Sequence, residues 1–209
     1  MRYVDPDGRD HGLKHIGLGT KVLKVKPTEM TKEQARIWIR DNIILDDSLP
    51  VCRIIYRLGI IDYEGEYDFS NNEIITKALA SAKSYANKNT IKHVKDGKSS
   101  PNSTKLGTTA FDPWNDTDLF GAFGGGCGYT WNVISVDTKK KIAKVQIYLI
   151  DTFDFNEGNG ERTEIAEKLT ALGRKAELSN FTIKGFYYIE VKVSKEAAKK
   201  LKESLENVQ

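Results

Sequence analysis

The run Ile142-Ala143-Lys144-Val145-Gln146-Ile147-Tyr148-Leu149 alternates apolar and polar side chains without a break. Ala143, Val145, Ile147 and Leu149 fall on one side of an extended chain, and Lys144, Gln146 and Tyr148 on the other. That is the pattern of a strand with one buried face. Just upstream, Tyr129, Trp131 and Val133 repeat the alternation, and Asp137-Thr138-Lys139 supplies turn residues between the two runs. The pair therefore predicts two antiparallel strands joined by a short turn. Downstream, Ile165, Ala166, Leu169 and Leu172 recur at helical spacing over Thr163–Leu172, with Gly173 as the expected stop. Phe181, Ile183, Tyr187, Ile189, Val191 and Val193 then share one face of a further strand, with Gly185 as a bend or bulge. Ser194 is placed to cap a last, charged helix reaching about Asn207.

The N-terminal half has a different period. Thr31 followed by Gln34 has capping-box form, and Ala35, Trp38, Ile39 and Ile43 follow at helical spacing. Pro50 opens a second helical run holding Cys52, Ile54, Ile55 and Leu58, with Gly59 as its stop. A third helix is expected over Glu73–Tyr85, with Ile74, Ile75, Ala78, Leu79 and Ala82 inward. Lys83 to Lys105 carries six lysines against Asp96, together with Gly97, Ser99, Ser100, Pro101, Asn102 and Ser103. It reads as a solvated linker, or alternatively as a basic contact for an anionic surface. Helices first and mostly antiparallel strands with helices afterwards make an α+β chain. The boundaries drawn from these shifts are a leader over 1–15, a helical region and lysine-rich linker over 16–105, and a second region over 106–209.

Composition sets the outer limits. The chain has 209 residues, of which 39% are hydrophobic and 29% charged, enough apolar material to build a core rather than stay disordered. No apolar run approaches the ~18 residues of a membrane-spanning helix, and no N-terminal stretch has the form of a cleaved signal. A net charge of +3 is too small to mark a nucleic-acid binder. Cys52 and Cys127 are too few for a disulfide framework or a zinc site, and one bridge or two thiols both fit. His11, His15 and His93 stand in no metal-ligand spacing and read as solvated.

Chemistry concentrates in Asp151-Thr152-Phe153-Asp154-Phe155-Asn156-Glu157-Gly158-Asn159-Gly160-Glu161-Arg162. Continuing the strand's alternation puts Asp151 on the core-facing side, where a carboxylate is costly unless a cation or hydrogen-bond donors compensate it. Asp154 joins it only if the chain turns. Phe153 and Phe155 are suited to anchor such a turn, with Gly158 and Gly160 allowing the return. The segment feeds a helix N-terminus, which favours an anion such as phosphate. Paired carboxylates on a divalent metal, with Arg162 facing a phosphoryl group, would serve phosphoester cleavage. The same residues also read as an Asx-type turn with solvated acids before an N-capped helix.

Asp-x-Phe-Asp-Phe-Asn (Asp151 to Asn156), then Arg162, then Ala-Glu-Lys-Leu-Thr-Ala-Leu-Gly (Ala166 to Gly173), resembles the catalytic region of the colicin M family. Asp118-Leu119-Phe120-Gly121-Ala122-Phe123-Gly124-Gly125 resembles the segment that opens that family's β-structure, so the likeness runs from about Asp118 to Val191. It implies an activity domain with an open, half-barrel-like sheet. It further implies Mg²⁺-dependent hydrolysis of the peptidoglycan precursor lipid II between the undecaprenyl carrier and the pyrophosphate. Asp151 and Asp154 match the two acids, which would hold the metal, with Asp154 the more critical. Arg162 matches the arginine and Asn156 the neighbouring asparagine. Phe153 stands where the family has Tyr, and Glu161 where it has His, with one extra residue before Arg162; Glu161 is then the expected general base.

Tyr3-Val4-Asp5-Pro6-Asp7-Gly8-Arg9 resembles the closing motif of the RHS-repeat core, which precedes the toxin tips of large secreted bacterial proteins. That resemblance implies the detachable tip of a far larger exported protein; with the colicin M likeness it implies an antibacterial toxin acting in the target's periplasm or at the outer face of its inner membrane. Its expected partners are lipid II, a cognate immunity protein and a transient membrane surface, but no nucleic acid. The alternative is a non-hydrolytic toxin that binds envelope lipid or perturbs the membrane on the same fold with a degenerate site. Trp114, Phe120, Phe123 and Trp131 are the aromatic candidates for that lipid contact.

Overall fold

The computed structural model describes residues 11–101, 107–111, 117–123, 126–155 and 163–207. It is α+β, with eight α-helices and a five-stranded open sheet among the described residues. The chain divides into two compact units, each assembled from three separate segments. Unit 1 takes Met1–Tyr67, Ala110–Gly126 and Thr152–Thr182; unit 2 takes Asp68–Thr109, Cys127–Asp151 and Ile183–Gln209.

Unit 1 is mainly helical. Its helices are α1 (His11–Lys24), α2 (Lys32–Ile39), α3 (Pro50–Ile60), α6 (Thr117–Phe123) and α7 (Glu164–Lys175). The capping box at Thr31 forms as expected: the Thr31 hydroxyl accepts from the Gln34 N–H at 3.2 Å, and the Gln34 side chain accepts from the Thr31 N–H at 2.8 Å. After α2 the helix loosens into a π-helical turn over Arg40–Ile44, which keeps Ile43 and Ile44 buried. α1 was not foreseen, because its glycines mask a buried pair, Leu18 and Val22; α1 and α2 both pack on α7. The segment after Thr117 is also a helix rather than the opening of the sheet, and it packs on α3.

Neither expected glycine stop ends its helix. α3 continues through Gly59 to Ile60 and α7 through Gly173 to Lys175. Gly173 is there for space: a Cβ on it would stand 1.9 Å from the Phe155 ring. The reversal after α7 is made instead at Glu177, whose φ is 52°.

Unit 2 carries most of the sheet and the helices α4 (Glu73–Ala78), α5 (Ala80–Lys95) and α8 (Lys195–Glu206). The strands are β1 (Glu66–Asp68), β2 (Gly107–Ala110), β3 (Gly126–Asp137), β4 (Ile142–Phe153) and β5 (Phe181–Lys192), in the order β1-β5-β4-β3-β2. β3 and β4 form the expected antiparallel hairpin, with Trp131 opposite Ile147 and Val133 opposite Val145. Ala143, Val145, Ile147 and Leu149 are all fully buried, as the alternation requires. A bulge between Val133 and Ser135 inserts Ile134 into β3. β5 also runs antiparallel to β4, since Tyr148 meets Phe186 and Gln146 meets Tyr188. β1 lies parallel to β5 at one edge: the Thr182 N–H donates to Gly65 and the Phe69 N–H to Lys184, advancing together along both segments. β5 passes through Gly185 as one strand; the glycine admits the Phe69 ring, which would lie 2.3 Å from a Cβ.

The expected third helix breaks at Leu79, and its second half runs on to Lys95, so the lysine-rich stretch is helical up to that point and not a linker. Ala82, Ala86, Thr90 and Val94 form its buried stripe at four-residue spacing, too small and mixed to stand out among the lysines. Ile74, expected inward, is 49% exposed. Ser194 caps α8, its hydroxyl accepting from the Ala197 N–H at 3.0 Å.

Candidate functional site

Asp151 sits near the end of β4, on the same side as Leu149, and is half-buried. Its neighbour across the ladder is Cys127, one register step beyond the Gly128–Ile150 pair. The Cys127 thiol donates to the carbonyls of Gly128 at 3.4 Å and Ile150 at 3.6 Å. Burial first, and then the charge of Asp151, push that thiol from about 9 up to about 12, so it stays protonated and a poor nucleophile. Thr109 clamps the Cys127 backbone, its hydroxyl donating to the Cys127 carbonyl at 3.0 Å and accepting from the Cys127 N–H at 3.3 Å. On β5, burial raises the Tyr187 phenol well above its ordinary value, and its hydroxyl donates to Asn87 Oδ1 at 3.0 Å.

Asp154 follows the last residue of β4 and is also half-buried. The rings on either side of it are both buried and pack edge to face, their centroids 4.8 Å apart. Phe153 further touches Tyr56 and Phe181, each at 5.2 Å between centroids. Phe155 is seated against Gly173 of α7, and its N–H donates to Asn180 Oδ1 at 3.2 Å. The two phenylalanines thus anchor the chain as the sequence suggested, and the acid between them is fixed through its backbone. The chain re-enters α7 through Thr163, whose hydroxyl accepts from the Ala166 N–H at 3.3 Å. Phe153 fills apolar space here, where the tyrosine of the resembled motif would bring a hydroxyl.

Asn156, Glu161 and Arg162 lie outside the described residues, as do Gly158, Gly160 and the leader motif Tyr3–Arg9. The division between the two units falls after Asp151, so that acid belongs to unit 2 and Asp154 to unit 1. Among the described residues no group of three or more His, Cys, Asp or Glu side chains is placed to hold a metal. Two carboxylates alone are hard-oxygen donors that fit Mg²⁺, an ion that keeps several of its waters.

Three other expectations change. His93 is half-buried rather than fully solvated: its ring stacks on Trp131 with a 10° interplanar angle, 6.2 Å between centroids. Phe120, Phe123 and Trp131 are each buried, so they belong to the core rather than to a lipid contact, and Trp114 lies outside the described residues. Cys52 and Cys127 are unbridged and buried.

Sequence reasoning also missed the task of Asp118. Its carboxylate accepts from the Val51 N–H at 2.9 Å and from the Cys52 N–H at 2.8 Å, capping α3 from a distant segment because Leu49 offers no side-chain cap. A second feature without a sequence signal is an open cleft of about 590 Å³ in unit 1, lined by Lys24, Met30, Gln34, Trp38 and Asn42 beside the π-helical turn.

The chain was compared with family models, curated proteins and solved structures, and none of them matches it.

Proposed function

We propose that the chain is an antibacterial toxin domain that hydrolyses a phosphoester of lipid II or a related polyprenyl-pyrophosphate. The observation that carries this reading is the anchoring of the chain at Asp154: that acid stands between two buried, mutually packed rings at the end of a strand whose inward row has just brought Asp151 to the half-buried level. A carboxylate held by backbone anchors loses little entropy when it binds a reacting group, which is what preorganised electrostatic catalysis requires.

In this reading Asp151 and Asp154 hold a divalent cation, Mg²⁺ being the natural choice. When bound it neutralises charge on the pyrophosphate. Glu161 takes the proton of the attacking water, Arg162 binds a phosphate oxygen, and Asn156 orients the substrate. Delivery as the tip of a secreted RHS protein, action in the target periplasm, brief contact with the membrane surface and neutralisation by a cognate immunity protein complete the proposal.

The test is polyprenol release from lipid II by the purified chain with Mg²⁺. Activity that EDTA abolishes and that Asp154→Ala lowers by about a thousandfold or more supports the proposal. Equal toxicity of wild type and Asp154→Ala after periplasmic expression overturns it in favour of a non-hydrolytic membrane toxin. Faster cleavage by Glu161→His would assign Glu161 to the proton-transfer role.

A further inference from the structure

The sheet of unit 2 has a face opposite to the one that carries Asp151. Odd-numbered residues of β4 and β5 point toward α5, as the Tyr187–Asn87 bond shows. Even-numbered ones form the opposite surface, where Lys144, Glu190 and Tyr188 are exposed and Gln146, Tyr148 and Phe186 half-buried. Tyr148, Phe186 and Tyr188 make a continuous aromatic row there, with centroid distances of 6.1 Å and 5.8 Å.

The row is locked by one amide. Tyr148 donates its hydroxyl proton to Gln146 Oε1 at 2.7 Å, and Gln146 Nε2 donates to the Tyr188 hydroxyl at 3.3 Å. Because the Tyr188 oxygen accepts that bond, its own proton points away and remains a donor to solvent. Lys144 stands 4.8 Å above the Tyr188 ring and brings ammonium donors to the same spot. A surface whose rotamers are already fixed binds without the usual ordering cost.

Charge selects the ligand. On this face Lys140, which pairs with Asp137 at 3.9 Å, and Lys144, Lys184 and Lys192 are balanced by Glu66, Asp68, Asp137 and Glu190, so there is no positive surplus for a phosphate backbone or an anionic membrane. We infer that the outer face of β3–β5 is a platform for a neutral β-linked glycan. Sugar C–H faces would lie against Phe186 and Tyr188, whose ring faces carry partial negative charge, while Gln146, Lys144 and the Tyr188 hydroxyl meet the sugar hydroxyls. The inference is independent of the hydrolase reading.

An NMR titration of the ¹⁵N-labelled chain with cellotetraose and with the β-1,4-linked N-acetylglucosamine tetramer tests it. Shifts confined to the even-numbered face of β4 and β5, with Kd of about 0.1–1 mM, are expected. Tyr188→Ala and Phe186→Ala should each weaken binding about tenfold or more at unchanged circular dichroism. Gln146→Leu, which keeps the rings but unlocks them, should weaken it less. Tighter binding of the N-acetylated chain assigns the platform to cell-wall-type glycan, and tighter binding of cellotetraose to plain β-glucan. No shifts with either sugar, shifts elsewhere, shifts that survive Tyr188→Ala, or preferential binding of oligo(dT) or phosphatidylglycerol vesicles at this face each overturn it.

Discussion

Each unit buries one cysteine beside one aspartate, and the two pairs are put to opposite uses. In unit 1 the Cys52 side chain donates to the Asp118 carbonyl at 3.0 Å, while both carboxylate oxygens of Asp118 receive N–H groups from the first turn of α3. That acid is committed to holding a helix start. In unit 2, Asp151 raises the Cys127 thiol by its charge and stands half-buried at the end of a strand. Burial is the first cause of both raised thiols, so the cysteines behave alike. The acids do not. Both oxygens of Asp118 carry a helix start, whereas Asp151 acts on its cysteine through its charge.

The largest effect expected from this contrast is on stability. Asp118→Ala strips two charge-assisted bonds from the start of α3 and should cost about 2–4 kcal/mol in urea unfolding at constant m, whereas Asp151→Asn, which keeps a side-chain oxygen acceptor, should cost less. Equal losses would erase the distinction. Next, Gly121→Ala places a Cβ 2.6 Å from Cys52 Sγ and should cost about 1–3 kcal/mol; a double-mutant cycle with Cys52→Ala should recover most of it.

The Cys127 thiol supplies a pH test. Its folded-state value of about 12 exceeds the ordinary value of about 9, so the folded state holds the proton longer. Its contribution is therefore complete below pH 9 and lost between pH 9 and 12. Urea midpoints for Cys127→Ala should fall less steeply than wild type across that window. The smallest effect belongs to the local cap: Thr31→Ala should cost about 1 kcal/mol, less than Asp118→Ala, because one neutral hydroxyl bond is lost rather than two to a carboxylate.

Much of the β-structure was legible because its signal is local. The β3–β4 hairpin, the capping box at Thr31, the Ser194 cap and the anchoring pair Phe153 and Phe155 all rest on residues within a few positions of each other. What escaped depends on distant partners. Gly173 and Gly185 read as punctuation, yet each makes room for a ring arriving from elsewhere in the chain. Asp118 read as part of a β-opening motif, although its bonds lie 66 and 67 residues away. α5 hid behind its lysines because its buried stripe is two alanines, a threonine and a valine. Of the candidate site, the placement of Asp151 and the seating of the chain around Asp154 followed from alternation and aromatic spacing. The remaining acids and Arg162 offer no period to read.

The additional residue at Ile134 has a consequence for chain length. Before it Trp131 and Val133 point inward, and beyond it Val136 pairs with Ala143 while Ser135 and Asp137 turn outward. Removing Ile134 alone would leave every other side chain of the hairpin on its present side. This is the one place where β3 can lose a residue without exchanging its wet and dry sides, and a shortened chain should keep its fold there while a deletion at Asn132 should not.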